Sequence, residues 1–162
     1  MKRFVLFFLL TILFLTGTAQ TPDFNDICKK YKNKENVVSI RINRFGCFLL
    51  SCLVKSNSSE DNIAQNFMRQ STTFQLLISD SNHTQAIIAD VDNFIKECKL
   101  EELLSLKEKG TAIKILTQYG TKKKIQQLFI SILQKDEEAV FLQVKGHFST
   151  DTILKLAKVS RH

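Results

Sequence analysis

The apolar residues of this chain recur first at helical and then at strand spacing. Phe24, Ile27, Cys28 and Tyr31 fall three and four apart, which predicts a helix with one apolar stripe. Thr21 is placed to cap it, and Pro22 suits a first helical position because its missing N–H costs nothing there. Lys29, Lys30, Lys32 and Lys34 surround its end, where positive charge complements the helix dipole. Val38, Ile40 and Ile42 then alternate with Ser39 and Arg41, the pattern of a strand with one buried face. Phe45 to Val54 is almost wholly apolar. It reads as a buried helix, with a buried strand as the alternative, because periodicity does not separate the two in short apolar runs. Lys55 to Asn62 is polar and reads as a loop, either extending toward Gln70 or carrying a short helix at Ile63 to Met68. Thr72 to Ile78 is a strand, with Thr73, Gln75 and Leu77 on one face and Phe74, Leu76 and Ile78 on the other. Asp80 to Thr84 turns into a helix carrying Ile87, Ile88, Val91, Phe94, Ile95 and Cys98.

From there the period drops to two. Leu104 and Leu106 alternate, then Ile113 and Ile115, then Leu128, Ile130 and Ile132, then Val140, Leu142 and Val144. Turn-forming stretches at Lys107 to Gly110, Tyr119 to Thr121 and Gln134 to Glu137 separate these runs. Four strands joined by three short turns make an antiparallel meander. The polar alternates Lys114, Gln118, Gln143 and Lys145 imply that one face of the sheet is solvated. Ser149, Thr150 or Asp151 caps a last helix bearing Ile153, Leu154 and Leu156. Helices need a sheet face on which to bury their stripes. The expected fold is therefore α+β: a two-layer sandwich of an antiparallel sheet, the C-terminal meander plus the N-terminal strands, with helices packed on one face.

The amino terminus follows a different pattern. Lys2 and Arg3 precede an apolar run from Phe4 to Leu15, and Gly17-Thr18-Ala19 places small residues before a cut ahead of Gln20. Positive, apolar and small in that order is a secretory signal peptide. A run of twelve is short of the roughly 20 apolar residues a membrane span needs. Residues 1–19 are thus expected to be a cleaved signal and 20–162 a single exported domain, periplasmic or secreted, with no transmembrane segment once the signal is gone. The chain carries 23 basic and 16 acidic residues; without Lys2 and Arg3 the balance is 21 to 16, or +5. That excess favours anionic lipid or glycan through salt-screened attraction. Nucleic acid is not expected, since no binding motif accompanies the charge. Export permits disulfides among Cys28, Cys47, Cys52 and Cys98, and four cysteines allow three full pairings. All four sit among apolar residues, where a cysteine also serves as a small hydrophobe.

An exported start followed by FNDICKKYKNKENVVSIRI, and later by the stretch from Leu100 to Lys158, resembles the exported family DUF4252 of Bacteroidetes. The resemblance lies in the Tyr31-Lys32 pair before a Val-rich strand, the meander, and a last strand ending in Gly146 before a short entry to a terminal helix. It is a likeness of layout and apolar pattern. It implies an uncharacterised exported domain and brings no catalytic residues with it.

The remaining chemistry is sparse. His83, His147 and His162 share no ligand spacing with each other or with the cysteines, so no metal site is expected. No nucleophile elbow, HExxH, P-loop or dinucleotide fingerprint occurs, so no catalytic or cofactor-binding residues and no cofactor are assigned. Glu101-Glu102 and Glu137-Glu138 are adjacent pairs, which point to opposite strand faces and do not face one another across a cleft. Lys122-Lys123-Lys124 is a basic turn that blunts edge pairing or touches an anionic surface. Asn57 and Asn82 stand in N-glycosylation sequons, and Thr152 in an Asp-Thr-apolar acceptor or a plain helix cap. The expectation is a non-enzymatic exported protein acting by binding or as an envelope-associated accessory, with a small hydrolase or transferase as the alternative. The sequence names no partner; the candidates it leaves open are an envelope protein, an anionic lipid or a glycan.

Overall fold

In the computed structural model, which describes residues 22–53, 59–80, 82–121, 124–135 and 138–159, six strands join in one antiparallel sheet. The elements in chain order are α1 (Phe24–Tyr31), β1 (Val37–Asn43), α2 (Arg44–Leu53), α3 (Ser59–Gln70), β2 (Ser71–Asp80), α4 (Thr84–Glu97), β3 (Glu101–Glu108), β4 (Thr111–Tyr119), β5 (Ile125–Gln134), β6 (Glu138–Phe148) and α5 (Thr150–Val159). The sheet order is β1-β2-β6-β5-β4-β3. β3 to β6 form the expected meander, and β2 joins it to β1, so the α+β sandwich forms as the pattern requires.

Local chemistry sets the element ends. Asp23 caps α1 in an extended conformation, its carboxylate accepting the Asn25 amide at 3.3 Å. The expected cap, Thr21, lies outside the described residues, and Pro22 precedes the helix. Lys109 and Gly110 make a two-residue loop between β3 and β4 with φ of 46° and 89°. Two positive φ values in succession give the turn whose twist matches paired strands, and glycine takes the second without strain. Ser149 caps α5, accepting the Thr152 amide at 3.1 Å. α3 begins at Ser59, inside the stretch expected as loop, and outruns the short helix expected at Ile63 to Met68; residues 54–58 lie outside the described residues.

α1 and α4 pack on one sheet face. Phe24, Cys28 and Tyr31 of α1 and Ile87, Val91 and Phe94 of α4 meet Leu77, Leu116, Phe129, Ala139 and Phe141 of the strands, all buried. Phe24 stands edge-on to Phe129 at 5.1 Å, and Phe94 lies 5.4 Å from Phe129. Truncating a ring buried this way to alanine costs about 3–5 kcal/mol. Asp90 of α4 accepts from Lys30 at 2.7 Å and from the Tyr31 hydroxyl at 2.9 Å, tying the two helices together. A second, smaller cluster lies on the opposite face at one end. There Phe67 of α3 stacks on Phe148 at 4.8 Å, and Ile153 of α5 packs with Leu128, Val144 and Phe74.

Candidate functional site

Strand alternation sends successive side chains to opposite faces, and the register aligns them across the sheet. On the face away from α1 and α4, one row runs Val38, Ile78, Val140, Ile132, Ile113, Leu106. The next runs Ile40, Leu76, Leu142, Ile130, Ile115, Leu104. All twelve are aliphatic, and none is buried. The edge residues are the most open: Val38 is 50% exposed, Ile40 47%, Leu104 51% and Leu106 48%. Among the described residues it is the following row, starting Ile42, Phe74, Val144, Leu128, that meets helices, at the α3 and α5 end, with Leu142 at its margin.

This reverses the expected assignment of faces. Gln143, taken as a solvated alternate, is buried on the helical side, and so is its strand neighbour Gln75. Lys145 lies on that side as well, 3.0 Å from the Asp23 carboxylate. Lys114 is exposed there, and Gln118 reaches the Cys98 carbonyl at 3.1 Å. Val38 and Ile40, expected to be buried, are open. The physical reason is volume. Phe129, Phe141 and Leu77 belong to the same alternates as these polar residues, and their bulk meets the rings of α1 and α4. Burying those rings decides the facing, and the polar members of the set follow them.

α2 departs from expectation in the same direction. It is a helix, as read, but only Cys47 and Ser51 are buried. Phe45 (68% exposed), Phe48, Leu49, Cys52 and Leu53 (75%) form an outward stripe at three- and four-residue spacing. Its inner side seats on the β1–β2 end of the open face: a Cβ on Gly46 would press against the Ile42 side chain, and the Cys47 thiol meets the Phe74 backbone. The open aliphatic rows and the α2 stripe thus lie at neighbouring parts of one side of the molecule.

A polar cleft of about 370 Å³ opens on the helical side, lined by Pro22, Asp23, Cys98, Gln118, Gln127 and Lys145 among others. Its groups are largely committed to one another. Burial would raise the Asp23 carboxyl, but the Lys145 hydrogen bond, the Asn25 amide and the Lys145 and Arg41 charges outweigh it and hold the carboxyl below its ordinary value. The Cys98 thiol donates to the Pro22 carbonyl at 3.3 Å. Burial pushes its pKa up, against the Lys145 charge and with Asp23 and Glu97. A raised thiol is a poor nucleophile, so Cys98 is not an activated attacking group.

No disulfide joins the four cysteines. Burial pushes Cys28 up to about 11, against the Ser39 and Gln75 hydrogen bonds that lower it, so that thiol stays protonated and inert. His147 is exposed on β6, His83 precedes α4, and His162 lies outside the described residues. Among the described residues no three metal-binding side chains converge. Glu101 and Glu102 point to opposite faces of the exposed edge strand β3. Glu138 opens β6, while Glu137, Lys122, Lys123 and Asn57 lie outside the described residues. Asn82 is exposed. Thr152 bonds the Ser149 hydroxyl at 2.9 Å within the α5 cap. No described helix is long and apolar enough to cross a membrane.

A family model described as a domain of unknown function, DUF4252, matches residues 31–156. No curated protein and no solved structure matches the chain.

Proposed function

The chain belongs to the DUF4252 family, and from that premise we propose that it is an exported, non-enzymatic accessory protein that works by binding through the open aliphatic face of its sheet. One observation carries this reading: twelve Val, Ile and Leu side chains in two unbroken rows, none of them buried. Strands about 4.8 Å apart and a same-face repeat of about 6.8 Å make these rows about 29 Å by 14 Å, or roughly 400 Å² in projection. An apolar patch of roughly 300–600 Å² is the largest that a typical soluble monomer shows, and such patches are often functional. At about 25 cal/mol per Å², covering it favours association by on the order of 10 kcal/mol before association entropy is charged against it.

Export rests on the leader-like residues 1–19, and it sets the partner in the envelope or outside the cell, the setting that the resemblance to a Bacteroidetes family implies. Amino-terminal sequencing of the protein from the envelope fraction checks this: a start at Gln20 agrees, and an intact Met1 in the cytosolic fraction contradicts it. Binding is tested by placing a photo-reactive residue at Ile115, on the open face, or at Lys114, on the other. Irradiation in the producing cell is expected to give one adduct, identified by mass spectrometry, from position 115 and none from 114. Equal labelling from both positions, or none from 115, overturns the reading.

A further inference from the structure

We infer that the occupant of the open face is a second copy of this chain, packed sheet against sheet in a two-fold dimer. The inference rests on the reading of that face as a binding surface and names its partner.

The two rows contain no charge, donor or acceptor. A surface that covers them must itself be flat, aliphatic and about 29 Å wide, or it buries polar groups unpaired at about 1–3 kcal/mol each. An identical face meets that condition. It has the same width and the same twist, and two like-twisted sheets pack aligned, about 10 Å apart, with inner side chains interdigitating.

Both edges of the face are open as well as its centre. The four most open residues of the face are Val38 and Ile40 on one edge strand and Leu104 and Leu106 on the other. A helix laid along the sheet centre covers neither edge, whereas a second six-stranded sheet covers both. Edge-to-edge growth of the sheet is blunted at β3 by Glu101, Glu102, Lys107 and Glu108 and by a register shift at Glu102–Leu104. That disfavours growth through the β3 edge, and of the remaining surfaces the face offers the broadest apolar area for self-association.

Size is adequate. Two copies bury about 800 Å² in projection from the rows alone, and the side chains stand off the sheet, so the accessible area is larger. The α2 stripe at the β1 end brings the pair past the roughly 1,000 Å² that a specific interface needs. An isologous pair is the commonest soluble assembly. A two-fold axis lying in the interface and crossing the strands sets the helical end of each copy beyond the open end of the other. α2, α3 and α5 of each copy then lie at the ends of the contact, where the α2 stripe adds to it.

Sedimentation equilibrium on the exported protein, in buffer without detergent, tests the inference. The expected mass is twice that of the single chain at low micromolar concentration. The double variant Val38→Lys, Leu104→Lys puts charge at two positions already half open, and is expected to sediment as a single chain with an unchanged circular dichroism spectrum. A single-chain mass for the unsubstituted protein at about 100 µM overturns the inference, as does a dimer that survives both lysines. Should the double variant fail to fold, the photo-reactive residue at Ile115 in purified protein decides: an adduct of twice the chain mass supports the dimer, and its absence overturns it. A single-chain protein whose Ile115 position captures one identified envelope component overturns the dimer and leaves the binding reading standing. A single-chain protein that captures nothing overturns both.

Discussion

The Asp90 carboxylate receives the Lys30 ammonium at 2.7 Å and the Tyr31 hydroxyl at 2.9 Å. Burial alone would raise its pKa, but these two bonds and the Lys30 charge outweigh that and hold it below the ordinary carboxylate range. A carboxyl lowered in the folded state contributes stability that is present above the unfolded value, near pH 4, and is lost as pH falls through the folded value. Asp90→Asn is therefore expected to melt below the unsubstituted protein at pH 7, with the gap closing below about pH 4. A gap constant from pH 3 to 7, followed by thermal circular dichroism, contradicts this. Gln143 is the opposite case: 1% exposed, with neither amide atom hydrogen-bonded. Two unpaired polar atoms in the helical core are a standing cost of about 1–3 kcal/mol. Gln143→Met keeps the shape and removes them, and should raise stability by about 1 kcal/mol in urea titration. A loss of stability instead shows that the amide is satisfied. From sequence alone Gln143 reads as a solvated alternate, because nothing in the alternation says which set of a strand faces the helices.

Single elements were the most legible part of the chain. The meander strands follow from strict alternation broken by turn residues, and α1 and α4 from their three- and four-residue spacings. The Lys109-Gly110 loop depends on positive φ at both positions. Gly110→Ala there should destabilise by about 1 kcal/mol, since alanine pays for φ of 89° and its Cβ would sit 3.1 Å from the Lys135 Cβ. An unchanged denaturation midpoint contradicts the turn assignment. At α1, Asp23 both caps the helix and pairs with Lys145. Asp23→Ala should cost about 1 kcal/mol, the usual cost of a lost cap; a neutral result places the cap elsewhere. The facing of α2 was illegible for a definite reason. A ten-residue run with apolar side chains all round has no polar stripe to orient it, so its sequence is consistent with burial although Phe45 and Leu53 point outward.

At the scale of the whole molecule, the sandwich is lopsided. Among the described residues, one face of the sheet is filled by α1 and α4 over a core rich in phenylalanine, and the other presents two aliphatic rows with helices at one end. The sequence names every residue of those rows, yet the surplus of apolar surface emerges only once register lays six strands side by side. The candidate site was hidden for the same reason: it is a property of the sheet and of no single strand or motif. The central claim is that this face is covered when the protein is at work. Carbene footprinting of the protein in its native setting, read by mass spectrometry, measures that directly. Leu154 of α5, 57% exposed and outside the two rows, is the internal reference for an open apolar side chain. Val38, Ile40, Leu104 and Leu106, with exposures of 47–51%, are predicted to label several-fold less than Leu154. Labelling of all four at the level of Leu154 would mean that the face stays bare, and would contradict the account.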